Sequence, residues 1–276
     1  MRIRISHETT FRYEPETRWV IQNLRLTPRS FDSQYVLRWR VCVSLDGALR
    51  HCEDTLGNVV HAFSHPKAVE RVEISAIGEV ETSDAVGVMR GTVETLPESM
   101  FLRKSEHAHV TAALREFVAE AVGGAADDLD KLHRLMGAIH KEIELDPEAA
   151  PARGGGVDAL ALKKATAADF AQLFIASARH IEIPARYVSG YLVPPDGETA
   201  AGMTAWAEAF TPGLGWVAFD CAHDLCADSR YVRVAIGFDS ASAAPFRTSH
   251  SGAGAEHVDT VLTIVDSPWG SQSQSQ

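Results

Sequence analysis

The stretch "KKATAADFAQLFIASARHIEIPARYVSGYL", residues 163–192, decides the reading of this chain. Thr166 and Asp169 stand three apart. That is the spacing of a capping box, in which a hydroxyl takes a free N–H and a carboxylate reaches back to the cap. Phe170, Leu173, Phe174 and Ala178 then recur at helical spacing and predict a helix over about 167–180. Pro184 forces the exit, and the residues near 185–193 alternate as a strand. The segment has the form of a site in which a nucleophile opens a helix. The residue at the helix start, however, is Ala167.

Working outward, further strands are predicted near 204–210, 215–221 and 231–237, with a last one at 257–265. Upstream, Leu129, Leu132, Leu135, Met136, Ile139 and Ile143 form the apolar stripe of a helix opened by Asp127 and Asp128 and closed by Asp146-Pro147. Val110, Leu114, Phe117, Val118 and Ala121 form another, ended by Gly123-Gly124. Both stripes read as core. Residues 147–156, "PEAAPARGGG", read as a flexible loop. The first hundred residues are all-β, with a hairpin signal at Asp46-Gly47 and a second turn at Leu56-Gly57-Asn58. Short strands at this spacing suggest a β-sandwich. The fold class is therefore α+β. The expected organisation is a β-rich domain over 1–98, a core with the C-terminal strands over 99–266, and a disordered low-complexity tail over 267–276.

The bulk numbers agree. A chain of 276 residues is comfortable for two domains. A net charge of -11 argues against nucleic acid and anionic membranes as partners. The start, "MRIRISHETTFRYE", has no apolar run of leader length, and no stretch reaches membrane-span length. Four cysteines are too few for a disulfide framework and fit a reducing compartment, so a cytoplasmic location is expected.

Three motifs make a resemblance specific. They are "AADFAQLFIASARHIEIPARYVSGYL", "TAWAEAFTPGLGWVAFD" and "YVRVAIGFD", in that order. Together they resemble the core of bacterial transglutaminase-like proteins, a superfamily related to papain-type cysteine proteases. "HETTFRYE" and "DTLGNVV" resemble the β-rich domain that precedes that core. The likeness spans about residues 1–265. It implies a papain-like core in which helices pack on an antiparallel sheet. It also implies a bacterial protein whose active relatives act on peptide amide bonds.

In that family a Cys opens the helix before Asp-Phe, a His before Ala-Trp is the base, and an Asp ending Phe-Asp orients the His. A helix start favours a thiolate, and the three together form a nucleophile–base–orienter unit. Carried over by residue, Asp169-Phe170 places the Cys position at Ala167, and Ala205-Trp206 places the His position at Thr204. Asp220 keeps the third role. Losing one member of such a unit costs on the order of a million-fold in turnover.

Other residues are weaker substitutes. Thr166 is engaged as a cap, and Lys163 and Lys164 read as solvated charges. Strand alternation puts Cys221 on the face opposite Asp220. "CAHDLC" gathers Cys221, His223 and Cys226 without the paired spacing of a zinc site, so no metal or other cofactor is expected, and His223 reads as a loop residue. His107, His109, His133 and His140 read as surface residues. Asp169, Tyr187, Tyr191, Trp206 and Glu208 are the candidates to line or support a ligand groove beside Asp220.

The expected function is a catalytically inactive transglutaminase-like protein that serves as a binding or assembly partner. The resemblance points to a peptide or protein partner, an active paralogue among them. The alternative is an amide hydrolase or acyl transferase with a displaced nucleophile, built on Cys221, Asp220 or a metal.

Overall fold

A computed structural model describes residues 1–103, 110–147, 156–194, 202–252 and 255–266. Most of the expected loop at 147–156 and all of the expected disordered tail at 267–276 lie outside the described residues, as do His107 and His109.

Six strands open the chain: β1 (Arg2–Thr17), β2 (Val20–Thr27), β3 (Gln34–Val43), β4 (Leu49–Glu53), β5 (Val59–His65) and β6 (Val69–Thr82). The short β7 (Val88–Met89) and a 3₁₀ turn, Glu98–Leu102, lead to helices α1 (Ala112–Ala121) and α2 (Asp128–Glu142). Then come β8 (Glu144–Leu145), α3 (Gly156–Leu162), β9 (Lys164–Ala165) and helix α4 (Ala167–His180). Strands β10 (Ala185–Leu192), β11 (Thr204–Thr211), β12 (Gly215–Asp220), β13 (Leu225–Cys226) and β14 (Tyr231–Gly237) follow. The chain ends with β15 (Phe246–His250) and β16 (Ala255–Asp266).

Two four-stranded antiparallel sheets, β16-β1-β6-β3 and β15-β2-β5-β4, bury Phe11, Leu24, Phe63, Val72 and Ile74 in a shared core. This is the expected sandwich, with two differences. The Asp46-Gly47 signal does not make a hairpin: β3 pairs with β6, whereas β4 pairs with β5. That dipeptide carries the chain from one sheet to the other. Turn chemistry reverses a backbone without fixing which strands then pair. Leu56-Gly57-Asn58 does join paired strands, with Gly57 at φ 79°.

The second difference concerns the chain's end. β15 pairs with β2, and β16 pairs with β1 from Ile3 opposite Asp266 to Glu14 opposite Ala255. The sequence groups these strands with the core at 99–266. Their hydrogen bonds tie them to the amino-terminal sheets instead. Periodicity reveals a strand but not its neighbour.

The core sheet has the order β13-β12-β11-β10-β14, with β7 added on β12. Helix α4 lies against it and is buried from Asp169 to Arg179. Helices α1 and α2 cover α4 with Leu114, Val118, Leu132, Leu135 and Ile139. The Arg179 guanidinium locks the far end of α4 by donating to the carbonyls of Ala185, Phe238 and Arg103. β10 is irregular between Ser189 and Gly190, where its register against β14 shifts. A Cβ at Gly190 would collide with the Val232 carbonyl and the Trp206 ring, so glycine is required there.

One long strand serves both halves. Ile3 and Ile5 of β1 pack with Leu262 and Ile264 against Val232, Val234 and Tyr191 of the core sheet. Further along, Phe11 and Tyr13 of the same strand face the sandwich interior. Among the described residues no helix is long and apolar enough to cross a membrane.

This seating of β16 predicts opposite outcomes for neighbouring residues. Leu262 is 0% exposed and Val261 is 60% exposed. Leu262→Ala is expected to destabilise the protein by ~2–5 kcal/mol. Val261→Ala is expected to change stability by about 0.5 kcal/mol or less. Urea denaturation of the two variants checks the phase of the strand.

Candidate functional site

The start of α4 forms as its sequence dictates. Thr166 caps the helix: its Oγ1 accepts from the Asp169 N–H at 3.3 Å, and Asp169 Oδ2 accepts from the Thr166 N–H at 3.1 Å. The Thr166 hydroxyl also donates to Asp169 Oδ2 at 2.7 Å. Both the proton and a lone pair of that hydroxyl are thus committed. Asp169 is buried and supports the helix start rather than lining a cleft.

A groove of about 640 Å³ opens beside this helix start. Thr166, Ala167 and Ala168 form one wall; Thr204 and Ala205 of β11, with Tyr187 and Ser189 of β10, form another. Leu145, Pro147, Leu192, Met203 and Pro245 make much of the lining apolar. The structure therefore brings Ala167, Thr204 and Tyr187 to one surface, and His223 joins them. Burial raises the pKa of the Tyr187 phenol, and Asp169 and Asp239 raise it further, so it is a neutral donor.

Asp220, at the end of β12, is 1% exposed. Its Oδ1 accepts the Ala222 N–H at 2.9 Å, and its Oδ2 accepts the Tyr231 hydroxyl at 2.8 Å. His223 Nδ1 lies 2.9 Å from the same Oδ2. The hydrogen bond to Asp220 raises the His223 pKa, although burial works against it. Sequence reasoning passed over His223 as a loop residue. The readable signal was its position three residues after the acid, on the turn that leaves the strand.

Three sequence candidates lie elsewhere. Tyr191 is 0% exposed, and its hydroxyl meets His7 Nδ1 at 3.0 Å in the seam between core sheet and sandwich. Trp206 is buried on the sheet face away from α4, edge-on to Tyr231 and close over Gly190. Glu208 is 0% exposed and pairs with Arg186 at 2.6 Å and Arg233 at 2.7 Å. Burial opposes its ionisation, but Arg233 and Arg186 outweigh that and hold its carboxyl down at about 2. Trp206 and Glu208 stand two apart on β11 and share a face, and the structure shows that face to be a second packed core.

The displaced-nucleophile candidates are also placed. Cys221 is buried in the helix-facing core, and burial together with Asp220 pushes its thiol well above the ordinary range. Burial pushes Cys226 up to about 11. No cysteine lines the groove among the described residues. Nor do three metal-ligating side chains come together among them, Cys221, His223 and Cys226 included. His140, read as a surface residue, points its Nδ1 at the Cys221 carbonyl, 3.1 Å away.

Comparison with known proteins bears on this arrangement. Residues 115–221 match the family described as the transglutaminase-like superfamily, and residues 3–81 match the bacterial transglutaminase-like N-terminal region. An uncharacterized protein of Mycobacterium leprae is 30% identical over 96% of this chain and 98% of its own length. The chain belongs to the bacterial transglutaminase-like family. An uncharacterized protein of Mycobacterium tuberculosis is 26% identical, over 89% of this chain and 86% of that one. The fold is also that of a Cytophaga hutchinsonii protein provisionally described as a cysteine protease. That structure aligns with a TM-score of 0.75 at 18% identity, covering 98% of this chain and 92% of the other. The core and the sandwich are thus shared with that structure as one fold.

Two measurements test the supports of the site. Glu208→Gln leaves two guanidiniums facing a neutral amide and is expected to cost about 3–5 kcal/mol; chemical denaturation reads it. His7 gives a pH signature. Burial lowers its pKa to about 4, whereas the unfolded value is 6.5. The folded state prefers the neutral ring, so its contribution is complete above pH 6.5 and lost as pH falls through 4. Stability is expected to drop by up to ~3 kcal/mol across that window. His7→Gln removes that part of the slope.

Proposed function

We propose that this protein is a non-catalytic transglutaminase-like protein whose groove binds a peptide segment of a partner protein. One observation carries the reading. The groove holds the positions to which the resemblance assigns the nucleophile and the base, and a methyl group, Ala167, occupies the first position of α4 within it. An alanine has no lone pair with which to attack an amide, and Thr204 offers no base at neutral pH.

The reading that the nucleophile has moved finds less support. A nucleophilic cysteine is a thiolate in an accessible, electropositive setting. Cys221 is 2% exposed beside Asp220, the opposite of both requirements. The Thr166 and Ser189 hydroxyls are both committed, to Asp169 and to the Ala243 carbonyl.

The groove's volume and apolar walls suit a few residues of extended peptide. A partner that already handles peptide amides, such as an active paralogue, is the natural source of that segment. The four cysteines are unpaired, which agrees with a reducing compartment such as the cytoplasm.

The test has two arms. The wild type is expected to give no turnover on a library of peptide amides, while some of those peptides bind it in a fluorescence titration. Ala168→Trp, which fills the groove, is expected to abolish that binding. Ala167→Cys combined with Thr204→His is expected to gain hydrolysis by ~10³-fold or more over the wild type. Robust turnover by the wild type would overturn the reading.

A further inference from the structure

Asp220 is buried behind the groove wall, next to His223. Three donors fix its two oxygens: the Ala222 N–H, the Tyr231 hydroxyl and the His223 ring. The turn that carries His223 closes through Asp224, whose φ of 52° is left-handed. An imidazole that donates its Nδ1 proton to a carboxylate presents Nε2 as a basic nitrogen of raised strength. The His223 side chain is 37% exposed and lines the groove that holds Ala167 and Thr204.

We propose that His223 and Asp220 form an acid–base couple facing the groove. The couple fills, from the turn after β12, the role that the resemblance gives to position 204. Among the described residues the groove then lacks a cysteine but not a base. The ligand group it takes is one with an exchangeable proton, a peptide thiol or carboxyl. The proton passes from that group to Nε2, and the resulting anion stays hydrogen-bonded to an imidazolium whose charge Asp220 balances. No other bond changes.

The surroundings of His223 are mixed. Asp220 lies beneath it and Asp224 follows it in the turn. Arg230 and Tyr231 approach from the start of β14, and His140 of α2 reaches the neighbouring Cys221 carbonyl. The bond to Asp220 favours the imidazolium, while burial and Arg230 oppose it, and the balance is a raised pKa. Thr204 cannot substitute, because its hydroxyl holds its proton at any physiological pH.

The test does not require a peptide ligand, so it stands or falls separately from the proposed binding function. Ala167→Cys places a thiol at the start of α4. Its alkylation by iodoacetamide is followed from pH 5 to 9 by peptide mapping at position 167, which separates it from the native cysteines. An ordinary thiol titrates at about 8.5. Here the thiolate is expected to form at least about one pH unit lower. His223→Gln in the same background is expected to slow alkylation at pH 6.5 by ~10-fold or more. A helix start alone would leave the rate indifferent to His223→Gln. A thiol that titrates normally, or that ignores His223→Gln, overturns the couple. Nitrogen NMR of the wild-type imidazole gives a second reading. The neutral ring of His223 is expected to carry its proton on Nδ1, and a ring protonated on Nε2 overturns the proposal without any variant.

Discussion

Glu208 holds the core sheet together at the point where its own solvation is lost. Its carboxylate is 0% exposed, as is the Arg186 guanidinium that pairs with it. Arg186 also reaches Glu94 on the segment that crosses from the sandwich, and its guanidinium stacks 3.9 Å from the centre of the Trp216 ring. Arg233 adds a second cation from β14. One carboxylate thus ties β10, β11, β14 and the connecting segment into a single frame. Isolated buried charges are costly, and a pair is tolerated only when every hydrogen-bonding site is used. The backbone ladder sets the separation of β10 and β14, and the buried ion network fixes which side chains can occupy the face it fills.

The sheet therefore has two dry faces. One carries α4 and the helices; the other carries Trp206, Trp216, Phe101 and the ion network. The groove exists only at the edge where α4 begins and the helical cover stops. Its walls are largely the ends of elements, the first turn of α4, the start of β11 and the turn after β12, with Tyr187 and Ser189 of β10 beside them. Rigid elements end there, so the positions of Ala167, Thr204 and His223 are set by packing far from the groove.

What the sequence made legible follows from this. The capping box, the stripe of α4 and the strands after it are local features, and they appear where local chemistry puts them. Asp220 was legible through its motif. Trp206 and Glu208 were misplaced because alternation assigns residues to a face without saying which face is the cleft, and a sheet covered on both sides gives no polar face to mark it. Tyr191 was misplaced for a related reason: its partner, His7, lies 184 residues away. The pairing of β16 with β1 is equally non-local. His223 reads in the sequence only as a loop residue or a metal ligand, because a histidine in a turn is usually solvated, and only the position of Asp220 shows its partner.

On the proposed non-catalytic reading, these supports explain why the setting around Ala167 is intact. Asp169 closes the cap of a buried helix, and losing such a cap costs roughly 1 kcal/mol. Asp220 gathers three donors, and leaving a buried Tyr231 hydroxyl and a backbone N–H unpaired costs about 1–3 kcal/mol for each group. Gly190 and Trp206 fit each other sterically. Each of these residues contributes to stability whether or not an amide is ever cleaved. The two positions at which the resemblance places sulfur and imidazole carry lighter duty: Ala167 and Thr204 are only partly buried and line the groove. A thiol and an imidazole can disappear from a groove wall with little change in folding free energy, while the acids around them cannot. The chemistry of the groove must therefore be judged from the side chains that face it, and among the described lining residues His223 is the one able to move a proton near neutral pH.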